Sequence, residues 1–246
     1  VRKIRIKMPK TGARKLMQHI EKDLIKNNIK MGRDALFDLL RSYGLLVRKT
    51  KRFHITTDSK HFFFKAPNHL KDLTLSHAEQ LFVSDITYIK VDGGHSYLAL
   101  VTDAYSKKIM GWKLDDNMKV TLVKEALQMA YKNCIHKHKT IIHHSDRGIQ
   151  YCCPDYSEFA QNKGFILSTT QQYDPYENAV AERINGILKY EFGLKNTIKN
   201  IKIAQKMIDE AVKIYNNDRL HWSLNLKTPQ SVHEKYNTQP YKSYAK

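Results

Sequence analysis

"LFVSDITYIKVDGGHSYLALVTDA" (residues 81–104) is the stretch on which the reading of the whole chain turns. Residues 81–91 alternate in character and are rich in β-branched and aromatic side chains, which predicts a strand. Asp92-Gly93-Gly94 is a turn signal, and 95–104 is a second β-rich run. "KKIMGWKL" (107–114) makes a third, so three antiparallel strands open this part of the chain. Asp85 sits in the middle of the first strand. Val83 and Thr87 share its face, whereas Phe82, Ser84 and Ile86 do not. A carboxylate buried there is costly unless it is paired or bound to a metal.

Downstream, 120–132 repeats apolar residues at helical spacing through Leu122, Ala126, Leu127 and Ala130. "TII" (140–142) opens a fourth strand, 140–146, which stops at Ser145-Asp146 and meets Arg147-Gly148. Asp146 thus falls at a strand's C-terminal tip, where open α/β sheets gather their chemistry. Capping the following turn is its ordinary alternative role. A helix near 155–163, a fifth strand over 165–170, a loop "QQYDPY" and helices over 177–193 and 201–216 complete the pattern. The order resembles a ribonuclease-H-like α/β core, a mixed five-stranded sheet flanked by helices.

Upstream the chain is different. The formal charge is +18 over 246 residues, and residues 1–80 carry 19 Lys/Arg against 7 Asp/Glu, a net of +12. Such an excess points first to nucleic acid and second to an anionic surface. Leu16, Ile20 and Leu24 stripe a helix over 12–28; Leu36, Leu39, Leu40 and Tyr43 stripe another over 33–43, closed by Gly44. Two short basic helices around a tight break suggest a helix-turn-helix-like unit, although helical pairs without DNA are commoner. The expected domains are a small helical DNA-binding region over 1–50, a basic linker over 51–77, the core over 78–217 and a C-terminal segment over 218–246. Arg48, Lys49, Lys51 and Arg52 are candidate phosphate contacts.

Asp85 and Asp146 on neighbouring strands, with Glu182 on the helix after the fifth strand, suit convergence on two Mg²⁺ ions, with Mn²⁺ as a substitute. Ions roughly 3.5–4 Å apart activate a nucleophile and stabilise a leaving 3′-oxygen. Between Asp85 and Asp146 lie 60 residues, and between Asp146 and Glu182 lie 35. This array resembles the catalytic core of retroviral integrases and of bacterial insertion-sequence transposases. "SDITYI", "HSDRGIQY", "ENAVAERINGILKYE" and the closing "YNNDRLHWSLNLKTPQSVHEKY" (215–236) look like signatures of the integrase-like transposases. Phe82, Glu177 and Leu220 depart from that family's usual Trp, Asp and Pro.

The resemblance implies metal-dependent phosphodiester hydrolysis and strand transfer on double-stranded DNA at the ends of an insertion sequence, by a homo-oligomer. It makes Asp85, Asp146 and Glu182 both the catalytic residues and the metal ligands. Lys189, two helical turns after Glu182, would hold the element's terminal DNA. Asn178, Arg183, Asn185 and Arg147 are further candidate DNA contacts, and Arg219 and His221 either brace the C-terminal segment or contact DNA. A strand-end His144 is more often structural. The family also implies a downstream-frame product, fused to an upstream-frame DNA-binding protein. A structure-specific nuclease of the same fold and a catalytically inactive DNA-binding regulator are the rivals.

Other classes fit poorly. No run of about 18 apolar residues is present, and the basic "VRKIRIKMPK" leads into no apolar signal stretch. Cys134, Cys152 and Cys153 form no disulfide framework and fit a reducing cytoplasm; the resemblance implies a bacterial one, at the nucleoid. With His136, His138, His143 and His144 they do not match structural zinc spacings, and the zinc module of retroviral integrases is missing. The first residue is Val, which allows an unusual start or a missing upstream stretch.

Overall fold

The three β-rich runs form β1 (Leu81–Val91), β2 (Gly94–Asp103) and β3 (Ile109–Asp115), paired antiparallel in that sequence. Gly93 holds φ +84° in the β1–β2 turn, a conformation that glycine adopts at little cost. β4 (Ile141–Ser145) and β5 (Phe165–Thr169) add in parallel beyond β1, giving the order β3-β2-β1-β4-β5. The structure is a computed structural model and describes residues 1–47, 63–70, 73–135, 140–171 and 178–237. Arg48, Lys49, Lys51 and Arg52 lie outside the described residues, as do His136, His138 and Glu177.

β1 is central and covered on both faces. Phe82 points towards α4 (Val120–Asn133), joining Leu122, Ala126 and Leu127 with Tyr156 of α6 (Pro154–Gln161). Ile89 points the other way, into a cluster with Ile184, Ile187 and Leu188 of α7 (Ala179–Glu191) and Ile208 of α8 (Ile201–Asn217). Each such side chain, fully buried, contributes roughly 1.5–3 kcal/mol before ordering entropy is subtracted. Asp85 has the parity of Ile89, so it belongs to the α7 face. Packing therefore brings the helix that carries Glu182 onto the face that carries Asp85.

β3 and α4 approach closely, and only a residue without a side chain fits between them. A Cβ on Gly111 would collide with Ala126 O and Ala130 N. Gly111→Ala is expected to cost about 2–3 kcal/mol through overpacking. The measurement is the denaturant midpoint at unchanged slope. A midpoint equal to that of the parent chain would mean that α4 does not lie against β3 as described.

Before the sheet come α1 (Arg2–Lys7), α2 (Ala13–Lys26) and α3 (Arg33–Ser42), with their own core of Leu16, Leu36 and Leu40. The sequence pattern did not mark α1. Gly44 ends α3 at φ +63°, and Leu45 N–H donates to Leu40 O at 2.7 Å. Leu39 and Tyr43, expected in the buried stripe, are instead 41% and 65% exposed. The stripe that meets α2 runs through Leu36 and Leu40, one position away around the helix.

After β4 the chain makes a short α5 (Ile149–Cys152), and past α8 it makes α9 (Pro229–Asn237); neither was marked by periodicity. The start of α9 has a local cause. Thr228 Oγ1 accepts from Ser231 N at 3.2 Å, and Pro229 occupies the first helical position, where its missing N–H costs nothing. Residues 66–69 of the expected linker run along β5: Thr169 Oγ1 donates to Ala66 O at 2.7 Å, and His69 N donates to Ser168 Oγ at 3.0 Å. That contact covers a sheet edge. No helix among the described residues is long and apolar enough to cross a membrane.

Candidate active site

The sequence of α7 separates two jobs. Ile184, Ile187 and Leu188, at i, i+3 and i+4, are buried against the sheet. Glu182, Asn185 and Lys189 fall at i, i+3 and i+7 and share a different edge of the helix. That edge meets β1 through an amide: Asn185 Nδ2 donates to Asp85 Oδ2 at 2.8 Å. At the helix start Asn178 Nδ2 donates to Ser84 O at 3.1 Å. Two asparagines thus fix α7 to the strand on either side of Glu182.

In the parallel β1–β4 ladder Val83 pairs with His144 and Ser84 with Ser145, which leaves Asp85 and Asp146 as the next rung. Asp146 Oδ1 accepts from Gly148 N at 3.0 Å, so this carboxylate does shape its turn as well. Glu182 is exposed in the first turn of α7. Burial, and after it the charges of Asp146 and Glu182, together hold the Asp85 carboxyl up at about 7 against the opposing Asn185 amide. Burial lowers the Lys189 ammonium, and Asp85 pulls it back up. These four charges are therefore within electrostatic reach of one another.

Asp85 is displaced upward first by its burial and then by its acidic neighbours Asp146 and Glu182. Oxygen donors of this kind suit hard divalent ions. Asn185 Oδ1, buried without a hydrogen-bond partner, is a further oxygen beside Asp85. Among the described residues, no three His, Cys, Asp or Glu side chains already stand as a closed metal cage. The residue chemistry of Asp85, Asp146 and the exposed Glu182 fits a divalent cation.

The other candidate residues divide between exposure and anchoring. Arg183 is exposed on α7, and Lys189 is half-buried. Arg147 Nε donates to Thr170 O at 2.5 Å, which ties the Asp146 turn to the end of β5. Asn178 is 6% exposed, and its side chain holds β1. His144 Nδ1 bonds Ser168 Oγ at 2.8 Å, a structural role. Arg219 is 3% exposed; it donates to both Glu191 oxygens at 2.7 and 2.8 Å and to His221 Nε2 at 2.8 Å, bracing the end of α7.

Asn185 is the residue whose part the sequence left open. It was read there only as a flanking DNA contact, yet its amide holds Asp85. A polar side chain three residues after an acid, beside the apolar row of Ile184, Ile187 and Leu188, is the signal that points to it. A second polar group, Ser84 Oγ and Tyr156 Oη around His143 Nε2 at 2.8 and 3.2 Å, lies on the opposite face of β1. Burial there pushes His143 down to about 3, so it stands neutral in the core.

Comparison with known proteins identifies the family of this core. Residues 76–175 match the Integrase core domain family, and residues 163–229 match a second Integrase core domain family. The insertion element IS600 uncharacterized 31 kDa protein of Shigella sonnei is 33% identical over 221 residues, 89% of this chain and 81% of that protein. The transposase for insertion sequence element IS629 of the same organism is 29% identical, over 89% of this chain and 74% of its own length. Transposase InsF for insertion sequence IS3A of Escherichia coli K12 is 33% identical over 62% of this chain and 53% of its own length.

Among solved structures, the simian T-cell lymphotropic virus intasome complex with PP2A regulatory subunit B56 gamma contains a chain that superposes with TM-score 0.58. It is 16% identical, over 95% of this chain and 78% of that one. The HTLV-2 integrase catalytic core domain in complex with magnesium, in its trimeric form, gives TM-score 0.50 at 18% identity, over 64% of this chain and 97% of that one. The chain belongs to the bacterial insertion-sequence transposases built on an integrase core. It is a DNA transposase with a ribonuclease-H-like fold.

Proposed function

We propose that this transposase cuts and joins DNA at the ends of its element, with Asp85, Asp146 and Glu182 as the shared ligands of two Mg²⁺ ions, replaceable by Mn²⁺. The observation that carries this reading is geometric: Asp85 and Asp146 follow as the next rung of the β1–β4 ladder, and α7, which bears Glu182, is tied to Asp85 through Asn185 at 2.8 Å. Bound there, divalent ions supply Lewis acidity to the attacking and leaving oxygens of an in-line displacement. The protein's own part is placement. Asn185 fixes one Asp85 oxygen. The Asp146 turn, held by Arg147 on Thr170 O, sets the second carboxylate. Lys189, next to Asp85, neutralises a phosphate of the element's terminal nucleotides, and exposed Arg183 meets the flanking backbone. Water and then a freed 3′-OH act in turn as nucleophile at the same acids.

In this reading Arg147 meets DNA beside the Asp146 turn and Asn178 acts through its hold on β1, whereas Arg48, Lys49, Lys51 and Arg52 extend the basic track between the helical region over 1–50 and the core over 78–217. Double-stranded DNA and further copies of the chain are its partners, and an upstream-frame protein completes end recognition. Magnesium belongs to the HTLV-2 integrase complex; here it is chosen on the donor chemistry. The test uses the full chain, labelled element-end duplex and Mg²⁺. Joined products are expected. Cutting without joining would instead make the chain a nuclease of the same fold, and binding without either would make it a regulator.

A further inference from the structure

At the N-terminal end of β1, beside the β2–β3 turn, the described residues line an open cavity of about 500 Å³. Its walls are residues 75–77, the β2–β3 turn and the C-terminal segment that leads into α9. Lys107, Lys227, Lys235 and His77 line it with Tyr105 and Ser223, and its described lining contains no Asp or Glu. Beside the Ser223 wall Trp222 is 56% exposed on the short turn Trp222–Leu224. A site built from cations, hydroxyls and an open aromatic face matches a nucleic-acid strand, with its phosphates and stackable bases.

The backbone around the cavity is held in an unfavourable form. Five described residues other than glycine have φ between +52° and +63°. Four of them cluster here: Lys107 and Asn225 in the walls, Leu226 beside Asn225, and Glu79 beneath. Such conformations cost stability and persist where the surroundings fix them, which is a mark of functional sites.

The fixing groups are visible below the floor. Asp103 accepts from Ser106 N and Glu79 N at 2.6 Å each. Ser106 Oγ lies 3.1 Å from His233 Nδ1, and His233 Nε2 lies 3.3 Å from Glu79 Oε1. This fully buried network clamps α9 to the β2–β3 turn, so the cavity's two lysine-bearing walls keep their spacing.

We infer that this cavity is a second DNA-contact site, distinct from the three carboxylates, which takes a backbone phosphate of the bound DNA between Lys107 and Lys227. It rests on the proposed function only in taking DNA as the polyanion. The alternatives, a protein partner or a second copy of the chain, lack the argument from charge.

The experiment is a salt titration of DNA binding by the full chain, with Lys227→Ala, Lys227→Glu and, as a comparison, Lys206→Ala on the exposed face of α8. Losing one phosphate contact makes the slope of log K against log salt shallower by about 0.9. Lys227→Ala is expected to show that change with affinity about fivefold weaker at 0.1 M salt, and Lys227→Glu a larger loss. Lys227 is exposed, and thermal melting verifies that each variant is folded. An unchanged slope overturns the site, as does an equal change in Lys206→Ala, which would reduce the effect to general surface charge. So does an altered oligomeric state at unaltered DNA affinity. Mg²⁺-dependent cutting by the parent chain is scored separately, so the cavity and the catalytic reading can fail independently.

Discussion

Asp146→Asn should lose at least about three orders of magnitude in both DNA cutting and joining, while DNA binding stays within a few-fold of the parent chain or tightens. The size follows from the chemistry: a lost metal ligand forfeits several kcal/mol of charge stabilisation, and each 1.36 kcal/mol is tenfold in rate. Asparagine keeps the shape and can still accept from Gly148 N, so the turn survives. What disappears is one negative charge at the place where Asp85 registers it. Removing an anion beside a polyanion does not weaken binding. A gel assay for cleaved and joined strands, paired with a binding titration, reads all three quantities. Cutting within tenfold of the parent chain would remove Asp146 from the ligand set.

The second large effect is on stability, and its sign is opposite to that of an ordinary salt-bridged acid. Asp85 is raised from 3.8 to about 7 in the folded chain. Between those values the folded state holds a proton that the unfolded state has released. Stability therefore falls as pH rises from about 4 to about 7, and the penalty is complete above 7. Three units at 1.36 kcal/mol each put the span at about 4 kcal/mol, an upper figure because Asp85 is only partly enclosed. A divalent ion competes with that proton. Mg²⁺ or Mn²⁺ is thus expected to raise the melting temperature strongly at pH 8 and little at pH 5, and Asp146→Asn should flatten both trends. Melting curves across pH, with and without the ion, decide it. An ion-induced gain that is the same at pH 5 and pH 8 would mean that Asp85 does not titrate in the site.

How much of this could be read from the chain depends on whether the signal was local. Strands β1 to β3 follow from alternation and the Asp92-Gly93-Gly94 turn, both properties of neighbouring residues. The positions of Asp85 and Asp146 at strand centre and strand end were legible for the same reason. α9 escaped because its stripe is weak, although Thr228-Pro229 carries a start signal in two residues. Leu39 and Tyr43 were misplaced because periodicity finds a stripe without fixing which of two adjacent rows meets the partner helix. The Asn185–Asp85 bond and the clamp of Asp103, Ser106, His233 and Glu79 join residues far apart in sequence. Nothing local announces such contacts; only the sheet order brings them together.

The most direct trial of the metal assignment is a crystal structure of the full chain soaked in Mn²⁺ and located by its anomalous scattering. The account expects manganese bridging oxygens of Asp85 and Asp146, with Glu182 turned in from the first turn of α7 and Asn185 still on Asp85. Manganese bound elsewhere, or bound with Glu182 pointing into solvent both in the free protein and on element-end DNA, would contradict it.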